Sequence, residues 1–181
     1  MTRARFVALA FRGDEARYRR FVGLLRSVVP PAAGVILRGS GVTGRRWSDG
    51  KPFDADGPGT SDLDITFIGG GMARDWERFY LPRIHSVPLS DEHPDACPRF
   101  VALRRTLCAI ARRPVNLQAT VATLQRLRAL FMRQPSLVLV EPVARPARCA
   151  RRARSARRAR MPRVVRGVGD RHQSAGVRES S

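Results

Sequence analysis

Apolar residues recur at helical spacing along residues 14–29, where Tyr18, Phe21, Val22, Leu25, Val28 and Val29 share one face and arginines stand opposite. Pro30-Pro31 ends that predicted helix. Residues 34–38 form a short apolar run after a Pro/Gly break, the pattern of a buried strand. Residues 63–68 form a second one, closed by Gly69-Gly70-Gly71. Between them, residues 41–60 hold five glycines, two prolines and several charges without apolar periodicity. They predict a long loop that projects outward, and loops of that length within a compact domain are usually functional or disordered. Residues 72–84 then predict a helix with Trp76, Phe79 and Tyr80 on one face. Residues 85–98, broken by Pro88, Pro94 and Pro98, predict a loop.

Phe100, Leu103, Leu107, Ile110 and Ala111 mark a further amphipathic helix, stopped at Arg112-Arg113-Pro114. Residues 115–118 predict a third strand. Residues 119–131 predict a helix with Val121, Leu124, Leu127 and Leu130 as its apolar members, and 137–140 is a short run able to pair at a sheet edge. The fold class expected is α/β (α+β): a small mixed sheet built from 34–38, 63–68 and 115–118, with helices packed on it.

Composition divides the chain at about Pro142. The 181 residues, 43% of them apolar, suit one domain over 1–142, but the net charge of +19 is uneven. Beyond Ala144 stand twelve arginines against Asp170 and Glu179, while Lys51 is the chain's lone lysine. Residues 143–181 are therefore expected to be a disordered or loosely helical basic tail. A solvated charge run and a weak, nonspecific anchor for nucleic-acid phosphates both suit it; the tail carries no aromatic residue for base stacking. No apolar run approaches the roughly 20 residues that span a membrane, and the run after Arg5 is too short for a signal peptide. Cys97, Cys108 and Cys149 are an odd number without metal-ligand spacing, so a reduced, cytoplasmic setting is the expectation. Cys97 and Cys108 read as buried small apolar residues, and His85 and His93 as loop histidines without a role.

One pattern raises a chemical question. The first strand ends in Gly39-Ser40, and the second opens with Ser61-Asp62-Leu63-Asp64. Carboxylates at i and i+2 of a strand point the same way, which crowds like charges unless they are paired or bind a cation. Hard oxygen ligands in that arrangement suit Mg²⁺ or Mn²⁺, and Gly39 with Ser40 offers a close backbone approach and a hydroxyl beside a phosphate. The same residues also fit turn chemistry, with Ser61 and Asp62 bonding local N–H groups.

In order, Leu37-Arg38-Gly39-Ser40 and Ser61-Asp62-Leu63-Asp64-Ile65 resemble the signature of the nucleotidyltransferase superfamily, the polymerase-beta-like fold. The longer form, with Gly41-Val42-Thr43-Gly44 and Pro52-Phe53-Asp54, looks like a bacterial branch with a lengthened loop, which also occurs in toxin–antitoxin settings. The resemblance implies transfer of a nucleoside monophosphate from an NTP to a small molecule, a protein hydroxyl or an RNA end. It places the metal at Asp62 and Asp64, which are also the catalytic pair, and the nucleotide phosphates at Gly39 and Ser40.

The sequence departs from that signature twice. Twenty-one residues separate Ser40 from Asp62, more than the family's usual gap, so Arg45, Arg46, Lys51 and Trp47 become candidates for phosphate contact and base stacking. Asn116 stands where the family carries a third carboxylate, and an amide takes no proton at neutral pH. Asp54, Asp56 and Glu141 are the candidate replacements. The alternative function is a catalytically impaired domain of the same fold serving as a binding or regulatory module.

Overall fold

Asp14 caps the helix that the periodicity marks: its Oδ1 accepts from the Arg17 N–H at 2.8 Å, and α2 runs Glu15–Val28 before the two prolines. The computed structural model describes residues 1–69 and 71–143, all within a compact unit spanning Met1–Ala144. The rest of the expected basic tail, including Cys149, lies outside the described residues. A helix that periodicity did not mark, α1 (Arg3–Phe11), precedes α2. Phe6, Phe11, Tyr18 and Phe21 meet edge to face at 5.4–6.1 Å between the two helices, contacts worth about 1 kcal/mol each beyond area burial.

Six strands form one mixed sheet among the described residues: β1 (Ala33–Arg38), β2 (Leu63–Gly69), β3 (Phe79–Leu81), β4 (His85–Ser86), β5 (Val115–Thr120) and β6 (Leu137–Val140). Their spatial order is β3-β4-β5-β2-β1-β6. β2 and β5 run parallel, joined by a crossover that contains α4 (Val101–Ala111), and every other pairing is antiparallel. The sheet therefore has six strands where the sequence pattern marks three and an edge run.

Alternation along the central strands separates two faces. Val35, Leu37, Leu63, Ile65, Phe67, Val115, Leu117 and Ala119 are buried with Phe6, Phe21, Leu25, Phe100 and Leu107 of the helices in one apolar cluster. The alternate positions carry Arg38, Asp64, Thr66, Asn116, Gln118 and Thr120, with Ile36 and Ile68 among them, a largely polar face running across three adjacent strands. α5 (Ala122–Phe131) lies over it and buries none of its side chains fully. Leu127, Leu130 and Phe131 stay exposed, so the expected apolar docking of this helix does not occur. The polar face beneath it explains the difference.

Two other expectations change. Residues 72–84 are not a helix: a 3₁₀ turn, Met72–Asp75, leads into β3. Trp76 still packs inward against Phe67 and Phe100, because the apolar face is satisfied by a turn as well as by a helix. His85 lies in β4, not in a loop, and is buried. Cys97 is buried and donates its Sγ–H to the Asp75 carbonyl at 2.9 Å, and burial pushes its thiol up to about 11. No helix of the described residues is long and apolar enough to cross a membrane.

Candidate functional site

The carboxylate pair arises where β2 leaves the loop. The Leu63 N–H donates to the Pro114 carbonyl at 3.0 Å, which starts β2 alongside β5 and sets Asp64 opposite Asn116 in the parallel register. The Asn116 amide Nδ2 then donates to both acids, at 2.5 Å to Asp62 Oδ2 and 3.1 Å to Asp64 Oδ1. Asp62 and Asp64 thus converge on one point, bridged by the residue that replaces the expected third acid. Turn chemistry accounts for Ser61, whose hydroxyl accepts from the Asp54 N–H at 2.8 Å. It does not account for Asp62, whose partner comes from a neighbouring strand.

Gly39 completes the cradle. Its backbone has φ 68° and ψ −152°, a region open essentially to glycine. A Cβ at this position would collide with Asp64 Oδ2. Arg38, the residue before it, pairs with Asp64 in the β1–β2 register, so the end of one strand meets the start of the next. Ser40 follows, buried, and opens a single helical turn, α3 (Ser40–Thr43), within the stretch expected to be loop. The structure therefore brings Gly39, Asp62 and Asp64 together with Asn116, with Ser40 one residue further along.

Burial, then the neighbouring Asp62 charge, push the Asp64 carboxyl above the usual carboxylate range, while the Asn116 amide and Arg38 pull it back. That is the electrostatic condition a cation relieves. Among the described residues no three His, Cys, Asp or Glu gather to hold a metal. The chain offers two carboxylates and one amide, a set that fits Mg²⁺ or Mn²⁺ when substrate phosphates and water complete the coordination. With the amide turned over, Asn116 would present its carbonyl oxygen to such an ion.

The carboxylates stand between two cavities. Asp64 lines one of about 260 Å³ together with Arg38, Gly39, Thr43, Trp47 and Arg128. Asp62 and Asn116 line another of about 370 Å³, with Ser90, Asp91 and Glu92. Trp47, 89% exposed, stands at the first cavity and does not pack back on the domain.

The long loop is anchored at its end, while residues 47–52 stay exposed. Its end is held by Arg113, which grips Asp54 with two contacts of 3.0 Å, lies over the Phe53 ring at 4.7 Å and donates to the Ser61 carbonyl. Asp54 is thereby removed from the candidates for a third acid. Asp56 pairs with Arg46, and Glu141 follows Val140, which pairs with Val35 far along β1 from Arg38. None of the three reaches the pair. Of the loop cations, Arg46 binds Asp49 and Asp56, Lys51 lies 3.8 Å from Asp49, and Arg45 donates to the Gly50 carbonyl at 3.0 Å. Arg46 is thus neutralised within the loop, whereas Arg45 meets only a carbonyl and Lys51 is loosely paired.

Sequence reasoning missed the residues beside Asp64. Arg38 Nη2 donates to Gln118 Oε1 at 2.5 Å, and Arg128 Nη2 meets His85 Nε2 at 2.9 Å. Burial, then the charges of Arg128 and Arg38, push His85 down to about 4, so it is a neutral acceptor. The available signal was the period-two run Asn116, Gln118, Thr120, which puts three polar side chains on one face of a central strand.

Comparison with protein families, with curated proteins and with solved structures gives no significant match.

Proposed function

We propose that the protein is a metal-dependent nucleotidyltransferase of the polymerase-beta-like fold, transferring a nucleoside monophosphate from an NTP to an acceptor hydroxyl. One observation carries the reading. Asp62 and Asp64 converge on a single point beside a glycine turn whose missing Cβ makes room for the Asp64 carboxylate. The flanking cavities supply the second support, since a group transfer needs room for a donor on one side and an acceptor on the other.

In this reading Asp62 and Asp64 hold Mg²⁺ or Mn²⁺, and Gly39 with Ser40 lets the donor's phosphates lie close to the backbone. The bound ion supplies charge neutralisation at the transferring phosphoryl group. The Arg113–Asp54 pair holds the loop end, and so Ser61 and Asp62, in register. Acceptors of three kinds stay within the proposal: a small molecule, a protein hydroxyl or an RNA end.

Asn116 favours a second reading, a binding or regulatory module of the same fold, such as a toxin–antitoxin component. Its amide already neutralises part of the carboxylate charge, and it accepts no proton from an attacking hydroxyl. Incubation with each labelled NTP and Mg²⁺ or Mn²⁺, comparing the native chain with an Asp62→Ala, Asp64→Ala double variant, separates the readings. Transfer lost in the variant supports the enzyme, and transfer retained by it overturns the site. Metal-dependent nucleotide binding without any transfer supports the module.

A further inference from the structure

The cavity on the Asp64 side is lined by two guanidinium groups that lack counterions. Among the described residues, neither Arg38 nor Arg128 has a carboxylate within ion-pairing distance, and both are partly enclosed, whereas the other arginines that lack one are exposed. Each is held by a neutral acceptor, Gln118 for one and His85 for the other. The enclosed Arg38 Nε and Arg128 Nη1 have no acceptor at all. Burial weakens both cations, and Arg128 adds repulsion to Arg38. Asp64 attracts Arg38, but its charge is shared with the Asn116 amide and opposed by Asp62.

Two partly desolvated cations kept side by side without an anion cost free energy that packing alone does not return. An arginine with five N–H donors, of which one is used within the protein, is organised for an oxyanion. We propose that this cavity is a polyphosphate site, clamped by Arg38 and Arg128, in which Trp47 stacks on a base lying outside. Its volume of about 260 Å³ falls just below the usual range of ~300–1,000 Å³ for whole ligands, which suits a phosphate chain with the nucleoside outside. Trp47 at the rim gives that nucleoside an aromatic face. His85 and Gln118 act as positioning residues that aim the guanidinium groups. Under the transferase reading, the donor then enters beside Asp64, and the acceptor comes from the Asp62–Asn116 side.

The test uses the full chain and inorganic pyrophosphate in metal-free buffer, followed by calorimetry, with ATP quenching of tryptophan fluorescence, compared between the native and Trp47→Phe chains, as a local probe. The proposal expects a saturable site whose affinity falls roughly tenfold or more in Arg128→Gln and further in Arg38→Gln, Arg128→Gln. Arg128→Lys should recover part of it. The Asp62→Ala, Asp64→Ala variant should bind pyrophosphate at least as tightly as the native chain, because repulsion is removed. The arginine-rich end is present in every variant, so binding there cancels in the comparison. Far-UV circular dichroism checks folding, and Arg128→Gln, on a half-exposed helix, carries the test if the double variant does not fold.

Equal pyrophosphate affinity in native and Arg128→Gln chains overturns the clamp. So does a site that vanishes with the two aspartates. Intact binding with no label transfer leaves the clamp standing and removes the transferase; the reverse result removes the clamp alone.

Discussion

Arg113 holds Asp54 through two parallel contacts of 3.0 Å, across 59 residues of chain, with only 3% of the arginine side chain exposed. The pair joins the turn before β5 to the loop before β2. Burial raises the Asp54 carboxyl, but the hydrogen bonds from Arg113 and from the Gly59 and Ser61 N–H groups outweigh it, so its pKa lies below the usual carboxylate range. Truncating one partner leaves the other charge buried. Arg113→Ala is therefore expected to lower unfolding free energy by about 3–5 kcal/mol, and the Asp54→Ala, Arg113→Met double variant to recover much of it. Urea denaturation checks both. Because the folded pKa is depressed, the pair's contribution is present above the unfolded value near 3.9 and fades as the pH falls through the folded one.

Asp64 behaves with the opposite sign. Its folded pKa is raised, so its contribution is full below the unfolded value of about 3.9 and is lost as the pH rises through the folded one. Asp64→Asn is expected to melt above the native chain at pH 8, with the gap closing toward pH 4. Added Mg²⁺ should raise the native melting temperature and leave that of the variant unchanged. Differential scanning calorimetry at both pH values reads the two effects.

Under the proposed function, Asn116 sets how strongly the pair would hold a cation. In Asn116→Asp a third carboxylate replaces the bridging amide, so without metal the chain loses stability to like-charge repulsion. With Mn²⁺ present, affinity should tighten by roughly tenfold, equivalent to about 1.4 kcal/mol. Titration calorimetry with Mn²⁺ measures it, and unchanged affinity would show that the ion, if bound, is not held at this point.

Gly39→Ala should remove the site while leaving the core intact. The backbone there is closed to other residues, and the added methyl meets Asp64 Oδ2. A loss of about 1–3 kcal/mol in stability is expected, with nucleotide binding abolished. Gly13, which also has positive φ but nothing near its Cβ position, serves as the control.

His85 supplies an acid-side signature. Its folded pKa of about 4 lies below the unfolded value near 6.5, so the stability it contributes is present above pH 6.5 and lost as the pH falls toward 4. His85→Gln should flatten the stability profile across that window. An unchanged profile would mean that the imidazole is not buried beside Arg128 in solution.

Elements whose side chains bury one face announce themselves. α2, α4, β1, β2 and β5 were legible because their apolar residues recur at 3.6 or 2, and burial then enforces the matching structure. β3 and β4 were not, because strands of three and two residues have too few positions to show a period. Residues 72–84 misled because one-sided aromatics suit a turn and a strand as well as a helix. Apolar alternation did not reveal that α5 would rest on polar side chains, since its own sequence is amphipathic.

For the candidate site, chain order alone singled out Gly39 ending one strand and Asp62 and Asp64 at the start of the next, and the family resemblance marked Asn116 as standing where an acid is expected. Local spacing determines such things because strand period and glycine's conformational freedom act within a few residues. Tertiary structure alone decided that Asn116 bridges both acids, that Arg113 takes Asp54 out of contention, and that Arg38 and Arg128 share a cavity without a counterion. Those relationships depend on strand register and on contacts 50 to 80 residues apart, where desolvation and pairing are settled only after the sheet has formed.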